Sequence, residues 1–211
     1  MKKLIIGLLA CLAVAIAAVP VASADNWSAS KLDAAATSIA GHPTQVWCED
    51  SWSAWIHLGD SVDQNWDGLY GFTFMDDPVV YVNPDQCFQL HLLLAGGDVG
   101  TVNASMALLT LAHEASHQAG YADEGDAECH ALPLLDDLAV GYFGVPGTAS
   151  VPYTASVKKK VGVRVNGHTV VRTVTTKTVK YKRVRNPWLT RLESDAKIWH
   201  SVAPAEYRTK C

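Results

Sequence analysis

The pattern of apolar and polar positions predicts four helices and a small number of strands. The longest predicted helix covers Val102–Gln118, an apolar stretch without Gly or Pro that is stopped at Gly120. The other predicted helices are Ser30–Ala40, closed by Gly41; Glu124–Tyr142, disturbed at Pro133; and Asn186–His200, with Pro187 at its first position. Short apolar runs predict strands over Thr44–Trp47, Gly68–Phe74 and Pro78–Asn83. A few strands followed by packed helices is an α+β pattern.

A different pattern occupies residues 154–186, where Val alternates with Lys and Arg. The Asn-Gly dipeptide at 166–167 interrupts it and favours a type I′ turn, because both central residues of that turn need positive φ. In this register Val163 meets Val170, so one face is largely valine and the other largely Lys, Arg and Thr. We predict a basic β-hairpin inserted into the main domain. Thr175–Arg185 either extends its second strand or forms a third.

Charge is divided unevenly along the chain. Between Asp25 and Asp137 there are eighteen acidic residues and one basic residue, Lys31, whereas Lys158–Arg185 holds ten basic residues and no acidic one. Such a basic run is either a solvated surface or a contact with an anionic partner, such as cell-envelope polymer, nucleic acid or the acidic part of the same chain. Tyr181 is the only aromatic residue of the run, which argues against stacking on single-stranded nucleic acid.

The N-terminus indicates export. Lys2 and Lys3 precede the apolar run Leu4–Val21, and residues 22–24 have the small-x-small pattern of a signal-peptidase site. We predict a signal peptide over 1–24, with an uncleaved membrane anchor as the alternative. The remaining residues, 25–211, are about the size of one domain and contain no second long apolar run. We therefore expect a secreted, monomeric protein that has no membrane span after cleavage.

The cysteine count agrees with export. Four cysteines remain after the signal peptide: Cys48, Cys87, Cys129 and Cys211. An even number in an exported chain predicts two disulfides, although four cysteines allow three connectivities. We favour Cys48–Cys87 with Cys129–Cys211. A cysteine zinc site is the poorer alternative, because no CxxC pair is present.

Metal-binding chemistry is concentrated at the end of the longest predicted helix. His113-Glu114-Ala-Ser-His117 is an HExxH motif. Histidines at i and i+4 share one face of a helix, so both imidazoles can reach one metal ion, with Glu114 beside them as general base. Zn²⁺ is the expected ion, because it favours imidazole and carboxylate ligands.

Three carboxylates are candidates for the third ligand. Asp123 completes HExxHxxGxxD, which resembles the metzincins and their small snapalysin-like members. Glu124 and Glu128 resemble the Glu-x-x-x-Asp element of the gluzincins, with Glu at the second place. That resemblance implies His113, His117 and Glu124 as metal ligands, with Glu128 orienting a ligand histidine. The connection between His117 and Glu124 is shorter than in thermolysin-like enzymes. This short connection favours Glu128 as an alternative ligand.

Most of the chain outside the hairpin also resembles a loosely defined group of small secreted actinobacterial-type proteins with HExxH. The shared features are a strand that ends in Asn-Pro before a cysteine, as at residues 79–87, Glu128-Cys129, and a Tyr-Arg…Cys ending at residues 207–211. The resemblance implies a zincin-like fold, in which a small β-sheet packs on the HExxH helix and the helices that follow.

These features predict a secreted zinc metallopeptidase that hydrolyses peptide bonds by metal-activated water, with Glu114 as general base. We expect Val79–Val82 to be the edge strand that pairs with an extended peptide substrate. Residues proposed to stabilise the oxyanion are Tyr121, His130, Tyr142 and Tyr153. The alternative function is a secreted binding or toxin-like module, in which the metal is structural and the basic hairpin contacts an anionic partner.

Overall fold

A computed structural model describes residues 25–61, 68–97, 101–166, 168–208 and 211. The helices are α1 (Asp25–Ala40), α2 (Trp52–Ser61), α3 (Pro84–Leu94), α4 (Val102–Gln118), α5 (Glu124–Ala131), α6 (Leu135–Gly141), α7 (Pro187–Val202) and α8 (Ala205–Arg208). The strands are β1 (Gln45–Cys48), β2 (Gly71–Thr73), β3 (Val79–Val82), β4 (Thr148–Val165) and β5 (His168–Arg185). The predicted signal peptide and Gly167 of the predicted turn lie outside the described residues. The mixed α and β content confirms the predicted α+β class.

The central sheet has three short strands in the order β1-β3-β2. β1 runs parallel to β3, and β2 runs antiparallel to it. Val80 and Val82 of β3 are fully buried, because alternate residues of a strand face the same side. The expectation that Val79–Val82 is an edge strand is therefore wrong: β3 is central, and β1 and β2 are the edges. An apolar run identifies a strand, but strand order depends on pairing between segments distant in the chain.

α4 is the centre of the hydrophobic core. Thr101 caps its N-terminus by accepting a hydrogen bond from the Ala104 amide. Almost every residue from Ala104 onward is buried, which is the pattern of a helix enclosed on all sides. α1, α3, α5 and α7 pack around it, with β2 and β3 across it. The HExxH motif thus lies in the last turns of a helix that the whole domain holds in place.

The helix predicted over 124–142 is divided into two. α5 is followed by a 3₁₀ turn at Leu132–Leu134 that contains Pro133, and α6 continues from there. α2 and α3 were not predicted, although α3 carries a recognisable local signal. Asn83 caps it by accepting a hydrogen bond from the Gln86 amide, and Pro84 follows at the first helical position.

Two disulfides connect the elements with the favoured pairing, Cys48–Cys87 and Cys129–Cys211. The first joins the end of β1 to α3, and the second joins α5 to the last residue of the chain. Two disulfides are consistent with an extracellular protein. Among the described residues, no helix combines the length and the apolar character needed to cross a membrane.

β4 and β5 form one long antiparallel hairpin, paired from Thr148 opposite Arg185 to Val165 opposite His168. Its register near the tip is the predicted one, and the segment from Thr175 extends the second strand instead of forming a third. The hairpin begins earlier than predicted, at Thr148. Its base is held to the domain by ion pairs from Arg185 to Asp136 and Glu193.

Candidate metal centre

A tight backbone reversal after α4 brings the third carboxylate back to the two histidines. Gly120 has φ +100°, which only glycine adopts readily. Its amide donates to the His117 carbonyl, and the Tyr121 amide donates to the Ser116 carbonyl, the hydrogen bonds of a Schellman motif. α5 then begins at Glu124, and only six residues separate Glu124 from His117. The short connection therefore suffices to bring Glu124 to the HExxH histidines.

Three potential ligand atoms converge at one point. The Nε2 atoms of His113 and His117 are 3.1 Å apart, and Oε2 of Glu124 lies 3.0 Å from the first and 3.4 Å from the second. Ligands bound tetrahedrally to zinc at about 2.0–2.1 Å are separated by about 3.3 Å. The three residues could thus hold a metal ion.

The opposite ring nitrogens of both histidines are held by hydrogen bonds. His117 Nδ1 donates to the Tyr121 carbonyl at 2.6 Å, and His113 Nδ1 donates to Oε2 of Glu128 at 3.1 Å. A carbonyl and a carboxylate only accept, so each Nδ1 carries the proton. In the neutral rings both Nε2 lone pairs consequently point towards Glu124. Three electron-rich atoms at this separation repel one another unless a proton or a metal ion lies between them.

The pKa values of His113, His117 and Glu124 also favour a cation at this point. Burial lowers the pKa of His113, but hydrogen bonds to Glu124 and Glu128 and the charge of Glu114 outweigh it and raise that pKa to about 10. Burial also lowers the pKa of His117. The hydrogen bond to Glu124 and the charge of Glu114 outweigh this effect, so the pKa of His117 is raised as well. Hydrogen bonds from both histidines lower the pKa of Glu124. The cluster therefore favours positive charge at the histidines, which a proton or a metal ion can supply.

The two other carboxylates considered from the sequence have different positions. Asp123 caps α5, since its Oδ1 accepts hydrogen bonds from the Gly125 and Asp126 amides. Buried Glu128 holds the Nδ1 side of His113, away from the converging atoms, and its other oxygen lies 3.5 Å from His200 Nδ1. Glu124 alone of the three places an oxygen at both Nε2 atoms.

Glu114 is buried beside the histidines, at the wall of a cavity. Burial raises its pKa, against the opposing effect of the charges on His113 and His117. β2 approaches it so closely that a Cβ on Gly71 would lie 2.7 Å from the Glu114 Cγ. Only glycine at position 71 permits this contact, which limits the conformations open to the Glu114 side chain.

The cavity beside Glu114 has a volume of about 380 Å³ and is largely apolar. One face of α4 forms its floor, residues 68–71 form one wall, and the segment from Trp199 to Tyr207 forms the other. The Tyr207 ring centroid lies 5.5 Å from that of His113. Tyr207 was not predicted to lie at the site, because nothing in the sequence around this residue indicates a contact with α4.

The proposed oxyanion residues lie elsewhere. Tyr121 stacks on His130 with ring centroids 4.2 Å apart, and His130 Nδ1 is 2.9 Å from the Ser116 hydroxyl. Neither these two residues nor Tyr142 and Tyr153 line the cavity as described. Tyr70 and Tyr207 are the tyrosines that do.

No protein-family model, no curated protein and no solved structure matches this chain. The observations that bear on function are therefore the geometry of the His113–His117–Glu124 cluster and the cavity next to it.

The metal-free protein is expected to lose stability as the pH rises from about 7 to 10. The pKa of His113 is about 10 in the folded protein against 6.5 for an ordinary histidine. Folding thus favours the protonated ring, and this contribution is complete below about pH 6.5 and is lost as the pH rises through about 10. Thermal unfolding in a chelator across this range measures the loss. In a His113→Gln variant, the melting temperature should depend less on pH over this range. If the melting temperature of the parent chain stays constant or rises from pH 7 to 10, the raised pKa of His113 is contradicted.

Proposed function

We propose that the protein is an exported, zinc-dependent metallopeptidase of the zincin type. The observation that carries the proposal is the convergence of His113 Nε2, His117 Nε2 and Glu124 Oε2 beside the buried carboxylate of Glu114. Two imidazoles and one carboxylate are a ligand set typical of catalytic zinc. The two disulfides and the apolar N-terminal segment support export.

The ligand count supports a catalytic over a structural site. Structural zinc sites are normally closed by four protein ligands, whereas catalytic sites keep one position open. Among the described residues, the cluster contains three candidate ligands, and His113 and Glu114 also line the cavity. A substrate in that cavity would therefore have access to the remaining position.

Each residue has a defined part in the proposed reaction. Zinc, when bound, supplies a Lewis acid that polarises a carbonyl and lowers the pKa of water. Glu114 takes a proton from the attacking water and later passes it to the leaving amine. The raised pKa of Glu114 brings its proton affinity closer to what a proton shuttle near neutral pH needs. Glu128 and the Tyr121 carbonyl keep both ligand histidines in the tautomer that leaves Nε2 available.

The sheet and the cavity suggest how a peptide is oriented. β2 is the edge strand next to Glu114, so we assign to β2 the role of pairing with an extended substrate in place of β3. The apolar cavity accepts one apolar side chain of the substrate. Tyr70 and Tyr207 are the phenols placed to stabilise the oxyanion, because both line this cavity.

Elemental analysis of the purified mature chain together with a peptide-library screen tests the proposal. We expect one zinc per chain, and cleavage products that mass spectrometry locates beside apolar residues. A chelator should abolish cleavage, and added zinc should restore it. A chain that binds no zinc when zinc is offered, or that binds zinc but cleaves no peptide in the library, would contradict the peptidase assignment.

A second candidate function is a binding or toxin-like module with a structural metal. The observation in its favour is the basic hairpin, which extends from the domain and carries nine cations without an ion pair among the described residues. In this case, zinc removal should unfold the protein, and Glu114→Gln should leave its biological effect intact. A peptidase shows the opposite response to Glu114→Gln.

A further inference from the structure

The register of the hairpin divides its cations between two chemically different faces. We call the face formed by the even-numbered residues of β4 and the odd-numbered residues of β5 the hydroxyl face. It carries six cations, and each of them lies directly opposite a Ser or Thr on the neighbouring strand. These cross-strand pairs are Arg164–Thr169, Lys160–Thr173, Lys158–Thr175, Lys177–Ser156, Arg183–Ser150 and Arg185–Thr148.

The other face, here called the valine face, has a different composition. Its four cations lie opposite apolar or aromatic residues: Lys159–Val174, Arg172–Val161, Lys180–Tyr153 and Lys182–Val151. Pairing of cations with Ser or Thr is therefore confined to one face. A basic strand that evolved only for solubility has no need for this separation, because exposed charges contribute to solubility on either face.

The donors of the hydroxyl face are available to a ligand. Apart from Arg185 at the base, its cations form no ion pair with other described residues. Within the described chain, the Thr169, Thr173 and Thr175 side chains form no hydrogen bond. On the valine face, by contrast, Thr176 and Thr178 donate to carbonyls of β4. Six of the seven Ser and Thr side chains of the hairpin that form no hydrogen bond within the described chain lie opposite a cation, and the exception is Thr154, which lies opposite Val179.

The spacing of these pairs matches a linear anion. Directly opposed side chains have Cβ atoms about 5 Å apart, so one cation and one hydroxyl can contact the same phosphate group. Successive pairs on one face are about 7 Å apart, and the strands of 18 residues extend about 60 Å. The result is a row of anion-binding pairs in three groups, at positions 148–150, 156–160 and 164 of β4, with residue pairs that lack a cation between the groups.

We propose that the hydroxyl face binds a flexible linear polymer whose repeating units are joined by phosphodiesters. Two-stranded ribbons twist strongly, so a flexible chain can follow all the pairs, whereas a flat bilayer meets only some of them. The hydroxyl face has a single aromatic residue, Tyr181, so stacking on nucleobases contributes little. Binding to the polymer would hold the acidic domain near an anionic surface without using the metal centre.

The test measures the affinity of the mature chain, residues 25–211, for fluorescently labelled poly(glycerol phosphate) by anisotropy at fixed ionic strength. Two triple variants remove the same charge from opposite faces of the same hairpin. Lys158→Gln, Lys160→Gln and Arg164→Gln alter the hydroxyl face. Lys159→Gln, Arg172→Gln and Lys180→Gln alter the valine face. We expect at least about tenfold weaker binding in the first triple and about threefold or less in the second.

A further variant removes the hydroxyls without changing charge. The variant combines Thr169→Val, Thr173→Val and Thr175→Val. Val forms strands as readily as Thr, so this variant should fold and can test the proposal even if a charge variant does not fold. We expect about three- to tenfold weaker binding from it. Equal losses in the two charge triples, or no loss in the threonine variant, would overturn the proposal in favour of unspecific charge attraction. Tighter binding to oligo-dT, to polyglutamate or to anionic phospholipid vesicles than to poly(glycerol phosphate) would also overturn it.

Discussion

Replacing Glu114 with Gln is expected to reduce peptide hydrolysis at least about a hundredfold while zinc remains bound. A general base typically contributes a factor of about 10²–10⁴ to the rate, and Gln cannot accept the proton. The effect should fall on kcat, because Glu114 does not belong to the group of candidate metal ligands. Steady-state kinetics on the best library peptide, with zinc content measured on the same samples, checks both parts.

Glu49→Gln is the matched control for this experiment. Glu49 accepts a hydrogen bond from the Trp47 indole at an exposed position, and Gln retains an acceptor oxygen there. Its kinetics should equal those of the parent chain. Hydrolysis that persists in Glu114→Gln would exclude Glu114 as the proton acceptor, and loss of zinc from that variant would assign it to metal binding instead.

Glu124→Ala is expected to abolish stable zinc binding. Among the described residues, its Oε2 is the one carboxylate oxygen within 3.4 Å of both Nε2 atoms, so its removal leaves two imidazoles and no anionic ligand. Zinc affinity, measured by competition with a chromogenic chelator, should fall much further in Glu124→Ala than in variants of the neighbouring carboxylates. Hydrolysis should fall with it.

The two neighbouring carboxylates supply the comparison. Glu128→Gln should weaken zinc binding about 10- to 100-fold, because it only orients His113. Asp123→Ala should leave zinc affinity unchanged and lower the free energy of unfolding by about 1 kcal/mol, because it removes the cap of α5. If Glu128→Gln or Asp123→Ala removes zinc more completely than Glu124→Ala, the ligand assignment is wrong.

Features that depend on near neighbours could be predicted from the sequence. The helix Val102–Gln118 has the predicted bounds, because its apolar composition and the stop at Gly120 are local properties. The pairing of Val163 with Val170 follows from turn chemistry and a period of two. The proximity of His113 and His117 likewise requires only one turn of helix.

The choice among the carboxylates required the tertiary structure. Asp123, Glu124 and Glu128 all lie within twelve residues of the HExxH motif, and their spacing alone permits each of them as a ligand. The reversal at Gly120 and the packing of α5 on α4 decide which carboxylate oxygen faces the two Nε2 atoms and which one holds Nδ1 of His113.

Contacts between distant segments were decided only by the fold. β1 pairs with β3 across more than thirty residues, which makes Val79–Val82 central and leaves β2 at the edge. Gly71 meets Glu114, and Tyr207 meets His113, because the whole chain packs around α4 and Cys129–Cys211 ties its end to α5. By itself the sequence determined the bounds of α4, the hairpin register near its tip and the types of side chain at the candidate site. The tertiary structure decided which side chains surround that site, because contact between remote segments results from the packing of the entire core and leaves no local pattern.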